Sequence, residues 1–203
     1  LDLPILTVDM DGVLCRPASW FNFVISRDIE RSPDLSTPRR EPSAKQRWAE
    51  TRFGQVLRYR WRPAMPGVAN ALADLAEVRR LVLLSGRPET SRKATEDWLR
   101  RRGLRELFSE VLLNDRGLPN ASFKLRVARE RDVREHVDDD GRVAYFLTKD
   151  APRTVYLIAW WANSGLPYPP GVLRVRSLGH AAERIRDSRI VRDSTTNPVV
   201  PDT

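Results

Sequence analysis

The chain has 203 residues, of which 41% are apolar, and a single cysteine. That length and apolar share suit one packed domain with an insertion, and the longest apolar run, "VYLIAWWA" at 155–162, is too short for a bilayer-spanning helix, which needs about 20 residues. A lone Cys15 excludes an internal disulfide and fits a reducing cytoplasm, the opening "LDLPIL" carries no secretion signal, and the net charge of +8 points to anionic partners or to a merely arginine-rich surface.

In chain order, the first expected strand is "ILTV" at 5–8, ending on Asp9 and Asp11. The stretch 15–62 breaks the strand-helix alternation that follows. "FNFVISRDIE" places Phe21, Val24, Ile25 and Ile29 on one helical face, "SPDLSTPRREPS" reads as a proline-rich loop, and "AKQRWAETRFGQVLRYRW" as a second helix. Beyond it, Val68, Leu72, Leu75 and Ala76 recur at helical spacing, then "LVLL" at 81–84 reads as a strand. Ala94, Trp98 and Leu99 mark a helix closed by Gly103, followed by the strand "VLL" at 111–113. "SFKLRVARE" reads as a helix with Ser122 as its N-cap, then come "HV" at 136–137, a helix after Asp140, "VYLIAWW" at 155–161 and "VLRV" at 172–175. From about 183 the composition turns polar and ends in "STTNPVVPDT", a frayed tail. The expected layout is a core over 1–182 interrupted by an insertion at about 15–62, and a tail over 183–203. Strands alternating with helices argue for an α/β fold, a parallel sheet covered on both faces, whose ligands bind beyond the carboxyl ends of the strands.

Several chemically active residues fall at those ends. Asp9 and Asp11, at i and i+2, point the same way while the chain is extended, and Gly12 lets the backbone turn and a ligand approach. An EF-hand loop is excluded, because its glycine belongs at position six and a third acid is missing. Ser85 and Gly86 close "LVLLSG", Lys124 sits just inside its helix, and "EHVDDDG" ends on Asp138, Asp139 and Asp140. In a parallel sheet these groups share one edge. His136 and His180 lack metal-ligand spacing, while Trp160 and Trp161 read as core or sheet-edge packing.

In order and spacing, "DMDGV", "LLSGR", Lys124 and "VDDD" resemble the four motifs of the haloacid dehalogenase superfamily, in its phosphatase branch. The resemblance implies a Rossmann-like three-layer sandwich with a small, mostly helical cap, the 5′-nucleotidase-like members being nearest. It implies a Mg2+-dependent phosphomonoester hydrolase in which Asp9 is the nucleophile that forms an aspartyl-phosphate. Asp11 becomes the general acid and then the base, its pKa raised by neighbouring carboxylates. Ser85 and the Gly86 amide bind the phosphoryl oxygens, and Lys124 offsets the shared negative charge. Mg2+ is held by Asp9, the Asp11 carbonyl and an acid from 138–139. Asp138 is the first choice as direct ligand and Asp139 acts through water, while Asp140 caps the next helix. A second aspartate two residues after the first separates phosphate-ester chemistry from dehalogenation, because a departing halide needs no proton.

The insertion occupies the position of a cap that closes over the cleft and selects the leaving group. It interleaves Trp20, Phe21, Phe23, Trp48, Phe53, Tyr59 and Trp61 with Arg47, Arg52, Arg58, Arg60 and Arg62. These residues either stack a base and bind phosphate or simply pack a two-helix cap. The substrate expected is a nucleotide-like or other small anionic phosphate ester. The alternatives are a phosphatase of nucleic-acid phosphate ends, and a non-catalytic nucleic-acid-binding or scaffold protein on the same fold.

Overall fold

The computed structural model describes residues 3–16, 29, 54, 59–149 and 151–196. Six strands form one parallel sheet in the order β3-β2-β1-β4-β5-β6. They are β1 (Ile5–Val8), β2 (Arg80–Pro88), β3 (Phe108–Asn114), β4 (Glu135–Asp138), β5 (Thr154–Ile158) and β6 (Val172–Val175). The helices between and after them are α1 (Val68–Ala76), α2 (Arg92–Arg100), α3 (Asn120–Glu130), α4 (Gly141–Lys149) and α5 (Leu178–Thr196).

Side-chain period decides the layers. Along β5, Tyr156 and Ile158 join a core with α1, α2 and α5, while Val155 and Leu157 face the opposite way into a core with α3 and α4. The result is the three-layer sandwich expected from the alternation of elements. The strand order reverses on either side of β1, so β1 and β4 flank the crevice where open α/β sheets place ligands.

Four local expectations change. The segment from 183 does not begin a frayed tail: α5 runs to Thr196, because Leu178, Ala181, Ala182 and Ile185 form an i, i+3, i+4, i+7 stripe buried in the α1 face. Ser122 does not cap α3; it is fully buried inside the helix, which starts at Asn120 after Pro119. β2 does not stop at Leu84 but pairs with β3 as far as Pro88, with a register shift after Ser85. Finally, β5 ends at Ile158, so Trp160 and Trp161 are not strand residues; Trp161 is 63% exposed.

The two expected cap helices fall mostly outside the described residues. What is described is where the chain departs and returns. Arg16 N–H donates to Pro63 O at 3.0 Å and Met65 N–H to Leu14 O at 2.9 Å, so residues 14–16 and 63–65 run side by side next to β1. Among the described residues, no helix is long and apolar enough to cross a membrane.

Candidate active site

β1 delivers Asp9 to the sheet edge, where Asp9 N–H still bonds to Val137 O of β4 at 2.9 Å. That pairing sets Asp9 beside Asp138, the last residue of β4. Lys124, from α3, reaches between them and places Nζ 2.7 Å from both Asp9 Oδ1 and Asp138 Oδ2. Carboxylate oxygens of Asp9, Asp138 and Asp139 all lie within 4.8 Å of one another. All four side chains are buried. Sequence spacing thus predicted a convergence that the fold produces.

Crowding shapes the protonation of these groups. Burial, reinforced by Asp138 and Asp11 and opposed by Lys124, raises the Asp9 carboxyl above the ordinary range. Burial also raises Asp139, and Asp138 and Asp9 push it further up. Asp138 goes the other way: burial disfavours its charge, but the Lys124 ammonium and the His136 hydrogen bond hold it well down. Although burial opposes the Lys124 charge, Asp138 and Asp9 keep this ammonium protonated.

Hydrogen bonds separate the roles of the two acids. Asp138 Oδ1 accepts the backbone amides of Asp139 and Asp140, each at 2.9 Å. Its Oδ2 accepts from Lys124 Nζ and meets His136 Nε2, each at 2.7 Å. His136 is in turn held by Thr7 Oγ1 at 2.8 Å. Both oxygens of Asp138 are therefore committed to protein partners, which argues against its expected rank as the primary cation ligand. Asp139 is the less committed acid. Its Oδ2 lies over Gly12, where a Cβ would come within 2.0 Å and where φ is +86°, so only glycine fits both the turn and the approach. The Asp139 carbonyl accepts Trp160 Nε1–H and Asn163 Nδ2–H, each at 3.1 Å, which pins this loop to the segment after β5. Asp140 Oδ1 accepts Arg142 N–H at 2.9 Å, the expected capping bond of α4.

Asp11 overturns one expectation. Burial would raise its pKa, but Arg87 dominates through a two-point contact, Nε to Oδ2 and Nη2 to Oδ1, each 2.7 Å. Arg62 also bonds Oδ1. Together they hold the Asp11 carboxyl down at about 2, so neighbouring carboxylates do not set its state. Arg87 itself is buried, with Nη1 3.2 Å from Thr95 Oγ1 and its guanidinium carbon 4.2 Å from the centre of the Tyr59 ring. Neither arginine stood out in the sequence as a partner of Asp11. In "LLSGR" the resemblance assigns roles to the serine and glycine, and the arginine that follows them, Arg87, proves to be the partner of Asp11. Arg62 lies 51 residues from Asp11, and no spacing rule reaches that far.

Val8 pairs with Leu83, which sets Ser85 of β2 two residues further on, toward the same end of the sheet as Asp9. Ser85 is buried and its Oγ accepts Arg87 N–H at 3.4 Å, a long contact that leaves the hydroxyl proton for another acceptor. Gly86 passes so close to Asn120 that a Cβ would lie 2.2 Å from Asn120 Oδ1.

The Asp11–Arg87 pair also bears on stability. Replacing Arg87 with methionine is expected to cost about 3 kcal/mol, the low end for a broken buried pair, because the Asp11 side chain keeps 30% exposure and can regain water. Thermal unfolding of the two proteins checks this; an unchanged midpoint would show that the pair contributes nothing.

No protein-family model and no curated protein sequence matches the chain. Solved structures do. D,D-heptose 1,7-bisphosphate phosphatase from B. bronchiseptica, crystallised with magnesium and phosphate, aligns with a TM-score of 0.57 at 18% identity, over 92% of this chain and 99% of that one. A haloacid dehalogenase-like family hydrolase from Xanthomonas campestris aligns at 0.57 and 16%, over 94% and 99%. CbbY from Rhodobacter sphaeroides, in complex with phosphate, aligns at 0.56 and 16%, over 87% and 95%. At such identities a likeness speaks for architecture, and it agrees with the strand order and the layers: the chain has the Rossmann-like fold of the haloacid dehalogenase-like hydrolases.

Proposed function

We propose that the protein is a Mg2+-dependent phosphomonoester hydrolase that works through an aspartyl-phosphate on Asp9. The observation that carries this reading is the single Lys124 ammonium set 2.7 Å from both Asp9 and Asp138, with Asp139 alongside, at the crevice beside β1. Three buried carboxylates with one fixed cation leave negative charge to be balanced, and an all-oxygen donor set suits a hard divalent cation. Asp9, Asp139 and the Asp11 carbonyl would hold Mg2+, with Asp138 bracing Lys124 and the loop. When bound, the ion would balance the carboxylates and polarise a phosphoryl oxygen.

The remaining chemistry belongs to the chain. Lys124 orients Asp9 for attack on phosphorus, and the bond to the leaving oxygen breaks as the aspartyl-phosphate forms. Ser85 Oγ–H and the Gly86 amide would donate to phosphoryl oxygens. Asp11 enters the reaction as a carboxylate, the form needed to take a proton from the water that later releases phosphate and regenerates Asp9. To protonate a leaving oxygen in the first step, Asp11 must first shed an arginine contact and take up a proton from solvent; otherwise the leaving oxygen takes its proton from water. The preferred substrate is a nucleotide-like or other small anionic ester, and the insertion over 15–62 acts as the cap.

Incubating the protein with p-nitrophenyl phosphate, with and without Mg2+, tests this reading. Mg2+-dependent phosphate release, with label from a radiolabelled ester trapped on Asp9, is the expected result; absence of both would refute it. The acidic loop gives a graded prediction. Asp139→Asn is expected to raise the Mg2+ requirement most, by more than the roughly 10–100-fold typical of residues that only support a ligand. Asp138→Asn should raise it within that range and lower the melting temperature, because it disturbs four hydrogen bonds. Asp140→Asn should change little, since asparagine caps nearly as well. A Mg2+ titration in which Asp138→Asn was the worst of the three would restore Asp138 as the direct ligand.

A further inference from the structure

Next to Arg62, a partner of Asp11, lies a surface that hydrolysis of a small ester does not need. Trp61 is 71% exposed, the most exposed large apolar side chain described. The guanidinium carbons of Arg60 and Arg101 lie 5.5 and 5.3 Å from its ring centre. Arg101 donates to Asp97 O at 3.1 Å and Arg60 O at 2.8 Å, and Arg102 to Arg62 O at 2.7 Å. All of these acceptors are neutral carbonyls. Among the described residues no carboxylate pairs with Arg60, Arg101 or Arg102, whereas neighbouring Arg100 is paired with both Glu96 and Asp97.

This patch is fixed relative to the chemistry. Arg62, the residue after Trp61, is buried; its side chain reaches Asp11, and its carbonyl accepts Trp98 Nε1–H at 2.8 Å. An exposed indole among arginines that no described carboxylate neutralises therefore begins one residue from a contact of Asp11, the carboxylate proposed to handle protons in the reaction. Aromatic faces stack bases whatever their sequence, and arginines without a carboxylate partner attract backbone phosphates. A base inside a duplex has no free face to offer, so this arrangement suits a single strand.

We propose that this surface binds a single-stranded nucleic acid whose terminal phosphate is the substrate, one base stacking on Trp61 while Arg60 and Arg101 meet the adjoining phosphates. The identity of that terminal phosphate as substrate rests on the hydrolase reading; the binding does not. Fluorescence anisotropy, in EDTA so that no turnover occurs, measures it with labelled short DNA and RNA strands carrying a 3′- or a 5′-phosphate. The expected result is salt-sensitive binding that prefers single strands to a blunt duplex. Trp61→Ala should weaken it about 5- to 150-fold, the effect of removing one stacked base. Arg101→Gln should reduce the dependence of log affinity on log salt by about 0.7 for each phosphate that the arginine had neutralised. Both side chains lie on the surface, and circular dichroism verifies that the variants fold. The proposal is overturned if the parent binds the strands no better than a nucleoside monophosphate, or if both variants bind as tightly as the parent. It is also overturned if a poly-glutamate peptide competes fully and Trp61→Ala makes no difference, which would assign the surface to an acidic protein segment. Hydrolysis of p-nitrophenyl phosphate without strand binding would sink this proposal alone, and strand binding without hydrolysis would sink only the enzymatic reading.

Discussion

Asp9→Asn is expected to lower turnover of any phosphate ester by about 10⁴-fold or more and to abolish the covalent adduct, because an amide oxygen is no nucleophile toward phosphorus. The fold should survive this change. The side-chain oxygen of asparagine can still accept from Lys124, and the backbone bond from residue 9 to Val137 O does not involve the side chain. Removing one of three crowded carboxylates should leave the melting temperature of the metal-free protein unchanged or raise it. Activity and stability thus move in opposite directions, which separates a missing nucleophile from a damaged structure. Quenched reactions with labelled ester, run beside thermal melts, read both. Labelled adduct in the Asp9→Asn variant would show that another group receives the phosphate.

Lys124→Met should have the second-largest effect, and there activity and stability fall together. The ammonium is 1% exposed and is the one cation within an ion-pair distance of either Asp9 or Asp138 among the described residues, since burial disfavours the charged form of His136. Removing it strands two buried carboxylates, at a cost of about 3–5 kcal/mol, or roughly 6–20 °C in melting temperature for a domain of this size. Turnover should drop about 10²–10³-fold, the scale of removing one electrostatic donor. Mg2+ provides the discriminating measurement. A cation that binds the folded state stabilises it by mass action, and the uncompensated carboxylates of the variant should bind it more tightly. The Mg2+-induced rise in melting temperature should therefore be larger in Lys124→Met than in the parent. If Mg2+ raised neither midpoint, the assignment of these acids to a metal would be wrong.

The Asp11 clamp adds a constraint on mechanism. An acid held at about 2 by two guanidinium groups begins as a base. Any step in which it donates a proton has to follow a rearrangement of Arg62 or Arg87. Arg62 lies where the chain returns from the insertion, so a displacement of that segment would reach Asp11 through this contact.

Much of this was legible in the sequence for a definite reason. Inner strands of a parallel sheet are buried on both faces and read as short apolar runs, as "ILTV" and "LVLL" do, and helical spacing marked α1 and α2. Once the elements alternate, parallel topology gathers their carboxyl ends at one edge, so Asp9, Lys124 and Asp138 can be grouped from the sequence alone. Local chemistry also fixed Gly12 as the turn and Asp140 as the cap.

Only the tertiary structure decided the rest. Which of Asp138 and Asp139 is free depends on four donors drawn from α3, β4 and the loop after it, and composition alone cannot rank two adjacent aspartates. The ionisation of Asp11 is set by arginines 51 and 76 residues away, whose charges count only because folding brings them into contact. α5 is not legible beyond 183 because the stripe Leu178, Ala181, Ala182, Ile185 is nearly complete by then and mostly charged and polar residues follow, while the surface that buries the stripe is built by distant elements. Periodicity and motif order are properties of neighbours along the chain. Hydrogen-bond saturation, charge pairing and exposure are properties of neighbours in space, and those decide what each residue of this site can do.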